Sequence, residues 1–340
     1  MPQKRRPRHG SLQYWPRKRS KRVYARVRAW AKIKEAKPLG FAGYKVGMTH
    51  LIINDNRKTS TTKGLDIFCP VTIIECPPLK TASIKFYKNA INGSKLVAEI
   101  PAENLDKDLK RKIILPKKQK EGSKDTQTAS GTNSVGNKNF PSEFDYIMML
   151  VYTSPRLTGI GKKKPEMFEI AVGGSKEEQL NYAKDKLGKE IIINEVFKEG
   201  QQLDIHAVSK GKGVQGPVKR FGVSLKHHKS EKGVRRVGSL GGWRAQGHIM
   251  WRVPKAGKMG YHVRTEYNKW LLKIGNAGEI SKKGGFENYG VIKNTCILVK
   301  GSIIGAKKRL IRLNEPLNPK RSVPSSPPSI QYTNLIQKSV

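Results

Sequence analysis

Acidic residues are scarce in this chain. Its 340 residues hold 26 Asp and Glu against 67 Lys and Arg, which leaves a formal net charge of +41. Self-repulsion between charges of this number destabilises a compact protein that stands alone. Solubility alone does not require so large a net charge. The composition therefore indicates a polyanionic partner. It also leaves few carboxylates that could take part in acid–base catalysis.

Cysteine and long apolar runs are also scarce. Cys69, Cys76 and Cys296 form no CxxC pair, so we expect small buried hydrophobes in a reducing compartment, with no disulfide framework and no metal site. No apolar run approaches the eighteen residues of a membrane span, and the first ten residues lack the apolar region of a secretory signal. We therefore expect a cytoplasmic protein that does not bind a membrane.

Motifs of catalysis are missing as well. The chain has no GxSxG, no HExxH and no spaced carboxylate pair in a neutral setting. Gly211–Gly216 is formally GxGxxG, but Pro217 follows and we expect no helix there, which argues against a nucleotide cofactor. His227 and His228 have only Glu231 nearby, a setting that favours phosphate contact over metal binding. We predict no enzyme activity, no cofactor and no small-molecule substrate.

The segment from Val208 to Lys269 is the most distinctive part of the chain. It carries fifteen Lys or Arg against two acids, and eleven glycines lie between Gly211 and Gly260. So charged a segment cannot bury a core of its own. Its cations can neutralise phosphates, its glycines allow close backbone approach and its flat rings can stack on bases, so the segment indicates RNA.

Three tryptophans lie in or next to this segment. Trp243 follows two glycines among cations, and we expect its ring to stack on RNA; the alternative is that it folds back onto the core. Trp251 and Trp270 lie beside strand-like sequence. For these two we expect core packing.

The N-terminal residues 1–38 are the second strongly basic segment, with fourteen Lys or Arg and a single acid, Glu35. Such arms are usually disordered alone and ordered by nucleic acid. We expect a short helix within Ser20–Lys37.

Apolar and alternating segments predict the strands of a small antiparallel barrel. These strands are expected at Gly40–Ile53, Val71–Cys76, Ile191–Phe197, Leu203–Val208, Tyr261–Ile274, Thr295–Lys300 and Arg309–Leu313.

Between the first and later strands lies a mixed insertion. We predict a strand at Ser83–Lys88, a helix at Ala102–Lys112 and a low-complexity polar loop at Lys117–Asn139. Tyr146–Tyr152 is a buried strand or a short buried helix. Ser175 and Glu178 match a capping box, so we expect a helix over Ser175–Leu187 that ends at Gly188.

The predicted fold is α+β and mainly β. Its domains are a basic N-terminal arm (1–38), a β-barrel core (39–80, 190–208 and 261–315), an α/β insertion (81–189), a basic internal arm (209–260) and a flexible C-terminal tail (316–340).

Five motifs carry a family resemblance. In chain order they are HGSLQYWPRKR (His9–Arg19), GFAGYKVGMTH (Gly40–His50), SKGKGVQGPVKRFG (Ser209–Gly222), VGSLGGWRAQGHIMWRVPKAGKMGYHVRTEYNK (Val237–Lys269) and VKGSIIGAKKRLIRL (Val299–Leu313). They closely resemble the large-subunit ribosomal protein L3 family, and the N-terminal arm and insertion resemble its archaeal form.

The resemblance implies a translation-protein-type barrel. It also implies binding to the 3′-terminal region of large-subunit rRNA, neighbouring large-subunit ribosomal proteins as partners and a role early in assembly. The internal arm would extend toward the peptidyl-transferase centre with Trp243 at its tip. The run Arg244–Ile249 departs from the usual family pattern.

Within the two basic segments we predict a set of RNA-binding residues. They are Arg5, Arg6, Arg8, Trp15, Arg17, Lys18, Arg19, Lys210, Lys212, Lys219, Arg220, Lys226, His227, His228, Lys229, Lys232, Arg235, Arg236, Trp243, Arg244, His248, Arg252, Lys255, Lys258, His262 and Arg264. Two other hypotheses stay open: a nucleotide-dependent RNA-modifying or redox enzyme built on the GxGxxG, and a DNA-compacting protein.

Overall fold

The computed structural model describes residues 8–115, 140–141, 143–241, 247–282 and 284–334. The predicted loop at Lys117–Asn139 lies outside these residues. The described strands are, in chain order, β1 (Gly40–Asn54), β2 (Asp66–Glu75), β3 (Leu79–Ala90), β4 (Gly93–Pro101), β5 (Tyr146–Thr153), β6 (Met167–Ala171), β7 (Glu190–Ile191), β8 (Gln202–Val208), β9 (Val214–Gln215), β10 (Gly257–Lys258), β11 (Val263–Gly275), β12 (Cys296–Lys300), β13 (Leu310–Asn314) and β14 (Ile330–Thr333).

Helices are short and few in the described part of the chain. The α-helices are α1 (Lys176–Lys186), α2 (Ile193–Val196), α3 (Pro217–Phe221) and α4 (Ala277–Ile280). Single 3₁₀ turns lie at Leu12–Tyr14, Lys107–Arg111 and Pro155–Leu157. The fold is therefore mainly β, as the sequence predicts.

The larger sheet joins strands from both ends of the chain, and all its pairs are antiparallel. Its strand order is β13-β8-β11-β12-β2-β1-β14, and β13 also pairs with β1. Six strands thus form a ring of pairings: β1, β2, β12, β11, β8 and β13. Along the second half of β1, Thr49, Leu51 and Ile53 are buried while Met48 is exposed, the period-two alternation of a half-buried strand.

Close approach of β1 and β2 depends on Gly43. A Cβ placed there would lie 2.6 Å from Ile74 Cγ2 and 2.7 Å from Cys76 Sγ. Atoms do not pack at such distances, so only glycine fits where the strands are this close.

The second sheet is the predicted insertion. Its order is β4-β3-β5-β6, with β7 added beside the start of β3. Helix α1 packs on β5 and begins at the capping box that the sequence predicts: Ser175 and Glu178 bond reciprocally, and Gly188 follows with φ of +76°. The predictions for Tyr146–Tyr152 and Ser175–Leu187 are confirmed.

The two sheets share one apolar core. Trp270, only 4% exposed, lies in it and donates from Nε1 to the Gly200 carbonyl at 2.9 Å, as predicted. All three cysteines are buried free thiols. Burial raises the pKa of Cys296 to about 12 and that of Cys76 as well, so these two thiols stay protonated and unreactive.

Three predicted elements differ from the structure. Ile191–Phe197 is not a strand: after β7 the chain turns into α2, and buried Ile193, Val196 and Phe197 follow helical spacing. Residues 20–37 hold no helix, although each of them is described. Ala102–Lys112 contains only one 3₁₀ turn, at Lys107–Arg111.

The described chain also forms strands that the sequence does not predict, namely β4, β6, β9, β10 and β14. Strand β4 pairs with β3 along most of its length. Strand β14, in the segment 316–340 expected to be a flexible tail, pairs with β1 through Leu51–Ile53. Within the described residues no helix is long and apolar enough to cross a membrane.

Candidate nucleic-acid interface

The internal arm has a structured base. Strands β9 and β10 pair in antiparallel register, and two bonds of 2.9 Å extend the pairing, from Lys212 N to Met259 O and from Met259 N to Gly213 O. At Gly260, where φ is +78°, a Cβ would lie 2.0 Å from the Lys210 carbonyl oxygen. The two sides of the arm can therefore meet only because this residue is glycine.

A single turn of helix follows the glycine-rich stretch. Helix α3 begins at Pro217, contrary to the expectation that no helix starts there, and ends at Gly222 in the left-handed conformation. The preceding β9 has two residues and pairs antiparallel with β10. A dinucleotide site requires a parallel strand–helix–strand unit, so Gly211–Gly216 belongs to the base of the arm rather than to such a site.

An aromatic cluster joins the N-terminal segment to this base. Trp15 stacks on Phe221, with ring centroids 5.7 Å apart and an interplanar angle of 17°, and meets the edge of Trp251. The Arg17 guanidinium lies over Phe221 at 4.4 Å, and Arg8 donates to the Arg252 carbonyl. Sequence patterning does not identify Phe221 as part of this contact.

Trp251 contradicts the expectation of core packing. It is 68% exposed and touches the cluster only through the edge contact with Trp15. The strand-like residues near it belong to the arm rather than to the core sheet, so most of its surface stays exposed.

Some predicted RNA-binding residues make contacts within the protein. Arg220 donates to the Lys255 and Lys258 carbonyls at 2.9 and 3.1 Å. His262, 8% exposed, bonds through Nδ1 to the Lys18 carbonyl at 2.8 Å. Arg264 lies over the Tyr14 ring at 4.7 Å. Arg220 therefore ties the two sides of the arm together, and His262 and Arg264 tie the N-terminal segment to the chain where it leaves the arm.

Most of the predicted cations are exposed. These are Arg8, Lys18, Arg19, Lys210, Lys212, Lys219, Lys226, Lys229, Lys232, Arg235, Arg236, Arg252, Lys255 and Lys258, with His227, His228 and His248 exposed as well. None of these Lys and Arg side chains forms an ion pair with another described residue. In the insertion, by contrast, Lys80, Lys85 and Lys88 all pair with acids.

Cations crowd one another where the two segments meet. Burial lowers the pKa of Arg17, and the nearby charges of Arg220, Arg264 and Arg8 lower it further. Its Nε is buried without a hydrogen-bond partner among the described residues. An anion placed here would relieve both effects. Arg5, Arg6, Trp243 and Arg244 lie outside the described residues.

A mainly β core that carries two long segments rich in unpaired cations defines a class: basic proteins that fold against a polyanion. The particular family follows from sequence comparison. The profile described as "Ribosomal protein L3" matches residues 1–336, and the chain belongs to this family.

Archaeal relatives match nearly the whole chain. It is 48% identical over 322 residues to the "Large ribosomal subunit protein uL3" of Archaeoglobus fulgidus, covering 93% of both chains. The protein of the same name from Methanocaldococcus jannaschii is 45% identical over 338 residues, covering 98% of this chain and 97% of the relative. That from Methanobrevibacter smithii is 41% identical over the same length and coverage. The resemblance noted from the motifs is confirmed.

Proposed function

We propose that this protein is a structural, non-enzymatic constituent of the large ribosomal subunit. It binds the 3′-terminal region of large-subunit rRNA early in assembly, in the cytoplasm, beside other large-subunit ribosomal proteins. The observation that carries the proposal is the set of exposed cations in the internal arm that form no ion pair with any described residue. Family membership supports the ribosomal setting.

The core sheet supplies the fixed body in this proposal. The ring formed by β1, β2, β12, β11, β8 and β13 supports a closed barrel of the translation-protein type. The internal arm leaves this ring after β8 and returns to it at β11. Its attachment to two adjacent, paired strands gives the arm a rigid origin.

The arms act by neutralising phosphates that would otherwise repel one another. Each contact between a Lys or Arg and a phosphate releases condensed counterions, and this release drives binding. Specificity comes from the shape of the folded RNA and from a few stacked bases. In this proposal the internal arm extends toward the peptidyl-transferase centre, and Trp243 stacks on RNA at its tip.

Most of the residues proposed to touch rRNA are among those predicted from the sequence. The exposed cations of both arms neutralise phosphates, and the exposed ring of Trp251 adds a flat surface on which a base can stack. Arg220 and His262 position the arm, because their polar atoms already bond within the protein.

A competition experiment separates this function from DNA compaction. Full-length protein is bound to a labelled 3′-terminal large-subunit rRNA fragment near 0.15 M salt. The unlabelled fragment is expected to displace it at concentrations on the order of 10³-fold lower than duplex DNA with equal phosphate, since the arms fit folded RNA. Equal displacement by both competitors contradicts the proposal.

A further inference from the structure

A cavity of about 750 Å³ lies between the N-terminal segment and the insertion, and none of its lining residues belongs to the predicted RNA-binding set. Residues 21–27 line one side and residues 164–169, which lead into β6, line another. Arg312 reaches it from β13 of the core sheet. Three parts of the chain that are distant in sequence therefore meet here.

The N-terminal wall of the cavity is held in place by packing. Tyr24, Ala25 and Val27 are buried. The Tyr24 hydroxyl donates to the Met167 carbonyl at 2.6 Å, and its ring lies 5.9 Å from that of Phe168. These contacts hold this part of the N-terminal segment, which forms no helix, against the insertion.

The cavity is strongly cationic. Eight of its lining side chains are Lys or Arg and two are Glu. Both acids are already engaged: Lys162 pairs with Glu166, and Lys85 pairs with Glu169 at 3.0 Å. Five lining cations have no ion-pair partner among the described residues, namely Lys21, Arg22, Arg26, Lys112 and Lys164. All five are exposed and accessible to a ligand.

Arg312 is a second observation that favours an anion as the ligand of this cavity. It is 2% exposed, with its guanidinium 4.4 Å from the centre of the Phe168 ring and 5.6 Å from that of Trp30. Nη2 donates to the Glu169 carbonyl at 2.7 Å, but Nε has no partner among the described residues. Burial lowers the pKa of this guanidinium from its ordinary value. A buried cation without an anionic partner is costly, and an anion in the cavity offsets that cost.

We propose that this cavity binds backbone phosphates of RNA and clamps the N-terminal segment and the insertion onto the same RNA. The inference rests on the proposed function. A single phosphate group carries about two negative charges at most near neutral pH, fewer than the five unpaired cations and Arg312 can neutralise. A polynucleotide supplies several phosphates at once, and the size of the cavity falls in the range of ordinary ligand sites, which reach roughly 1,000 Å³.

Directed cleavage tests where the RNA lies. An iron chelate that generates hydroxyl radicals is attached to Lys164→Cys at the cavity rim, or to Lys58→Cys in the β1–β2 loop as control. The native cysteines are buried, so the label goes to the new thiol. With full-length protein on the 3′-terminal rRNA fragment, Lys164→Cys is expected to cut a discrete group of nucleotides that Lys58→Cys does not cut. Absence of such cuts from bound protein overturns the inference.

The salt dependence of binding gives a second measure. Arg26→Gln with Lys164→Gln removes two exposed cavity cations and should lower the slope of log K against log salt by about two. Lys58→Gln with Lys63→Gln removes the same charge elsewhere and should leave the slope nearly unchanged. If both pairs change the slope equally, only net charge matters and the cavity is not a site.

A third experiment distinguishes free phosphate from RNA as the ligand of the cavity. Inorganic phosphate, compared with chloride at equal ionic strength, should raise the Tm of wild type more than that of the Arg26→Gln/Lys164→Gln variant. That result without rRNA cuts at the cavity assigns the site to free phosphate and contradicts the proposal. If wild type does not bind the rRNA fragment, the proposed function fails. If it binds and the cavity variants match their controls, only the cavity inference fails.

Discussion

Neutralising five cations of the internal arm is expected to weaken binding to the 3′-terminal rRNA fragment by about 10³-fold near 0.15 M salt, because each lost phosphate contact removes one counterion-release contribution. The variant replaces Lys226, Lys229, Lys232, Arg235 and Arg236 by Gln. All five are exposed in the structure. Their replacement should therefore leave thermal unfolding unchanged while filter binding reports the lost affinity.

A matched variant controls for net charge. Replacing exposed Lys58, Lys63, Lys95, Lys107 and Lys110 by Gln removes the same charge from the β1–β2 loop and the insertion. This change should cost far less affinity than the arm variant. Equal losses would show that the protein attracts RNA only through its overall charge, and the assignment of the arm as an interface would be wrong.

The largest expected effect on stability comes from Glu75→Ala. Glu75 lies fully buried on β2 and accepts hydrogen bonds from the Tyr289 hydroxyl, from Lys293 N at 2.9 Å, and from Asn294 N and Nδ2 at 3.0 and 2.8 Å. Without the carboxylate the Tyr289 hydroxyl is left buried and unpaired, the Lys293 and Asn294 backbone N–H groups lose their acceptor, and Asn294 Nδ2 keeps only the Leu157 carbonyl at 3.2 Å. At about 1–3 kcal/mol for each unsatisfied group, partly relieved by relaxation, the free energy of unfolding should fall by about 4 kcal/mol.

Glu75→Gln is the corresponding control. It keeps one acceptor oxygen in the same place, so it should lose less than half as much stability as Glu75→Ala. Urea unfolding of both variants measures the difference. Equal midpoints for Glu75→Ala and wild type would mean that Glu75 does not hold residues 289–294 onto the core sheet.

The core strands are predictable from sequence because their signal is local. Alternation along Thr49–Ile53 and the apolar run in β2 identify strands, although not their pairing order. The strand predicted at Ile191–Phe197 is wrong because a short apolar run fits both the helical and the strand spacing of hydrophobic residues. Only its neighbours decide that Ile193, Val196 and Phe197 face one side of a helical turn. Strand β14 is not predicted for the same reason, because its partner in β1 lies hundreds of residues earlier in the chain.

The predicted RNA interface also has one part that the sequence can predict and one part that it cannot. Charge patterning locates both basic segments, and the exposure of most of their Lys and Arg side chains follows from it. Composition cannot show that Arg220 and His262 bond within the protein, or that Trp15 packs on Phe221, because each partner is distant in sequence. Nor does it reveal Arg312, whose surroundings exist only once β13 meets the insertion.

If rRNA holds the excess cations of this chain, the affinity of the full-length protein for the 3′-terminal fragment must fall as the salt concentration rises. For about ten phosphate contacts, log K should fall linearly with log salt with a slope near −9 if the bound RNA is duplex-like, and near −7 if single-stranded. An affinity that stays flat from low to moderate salt would contradict the account.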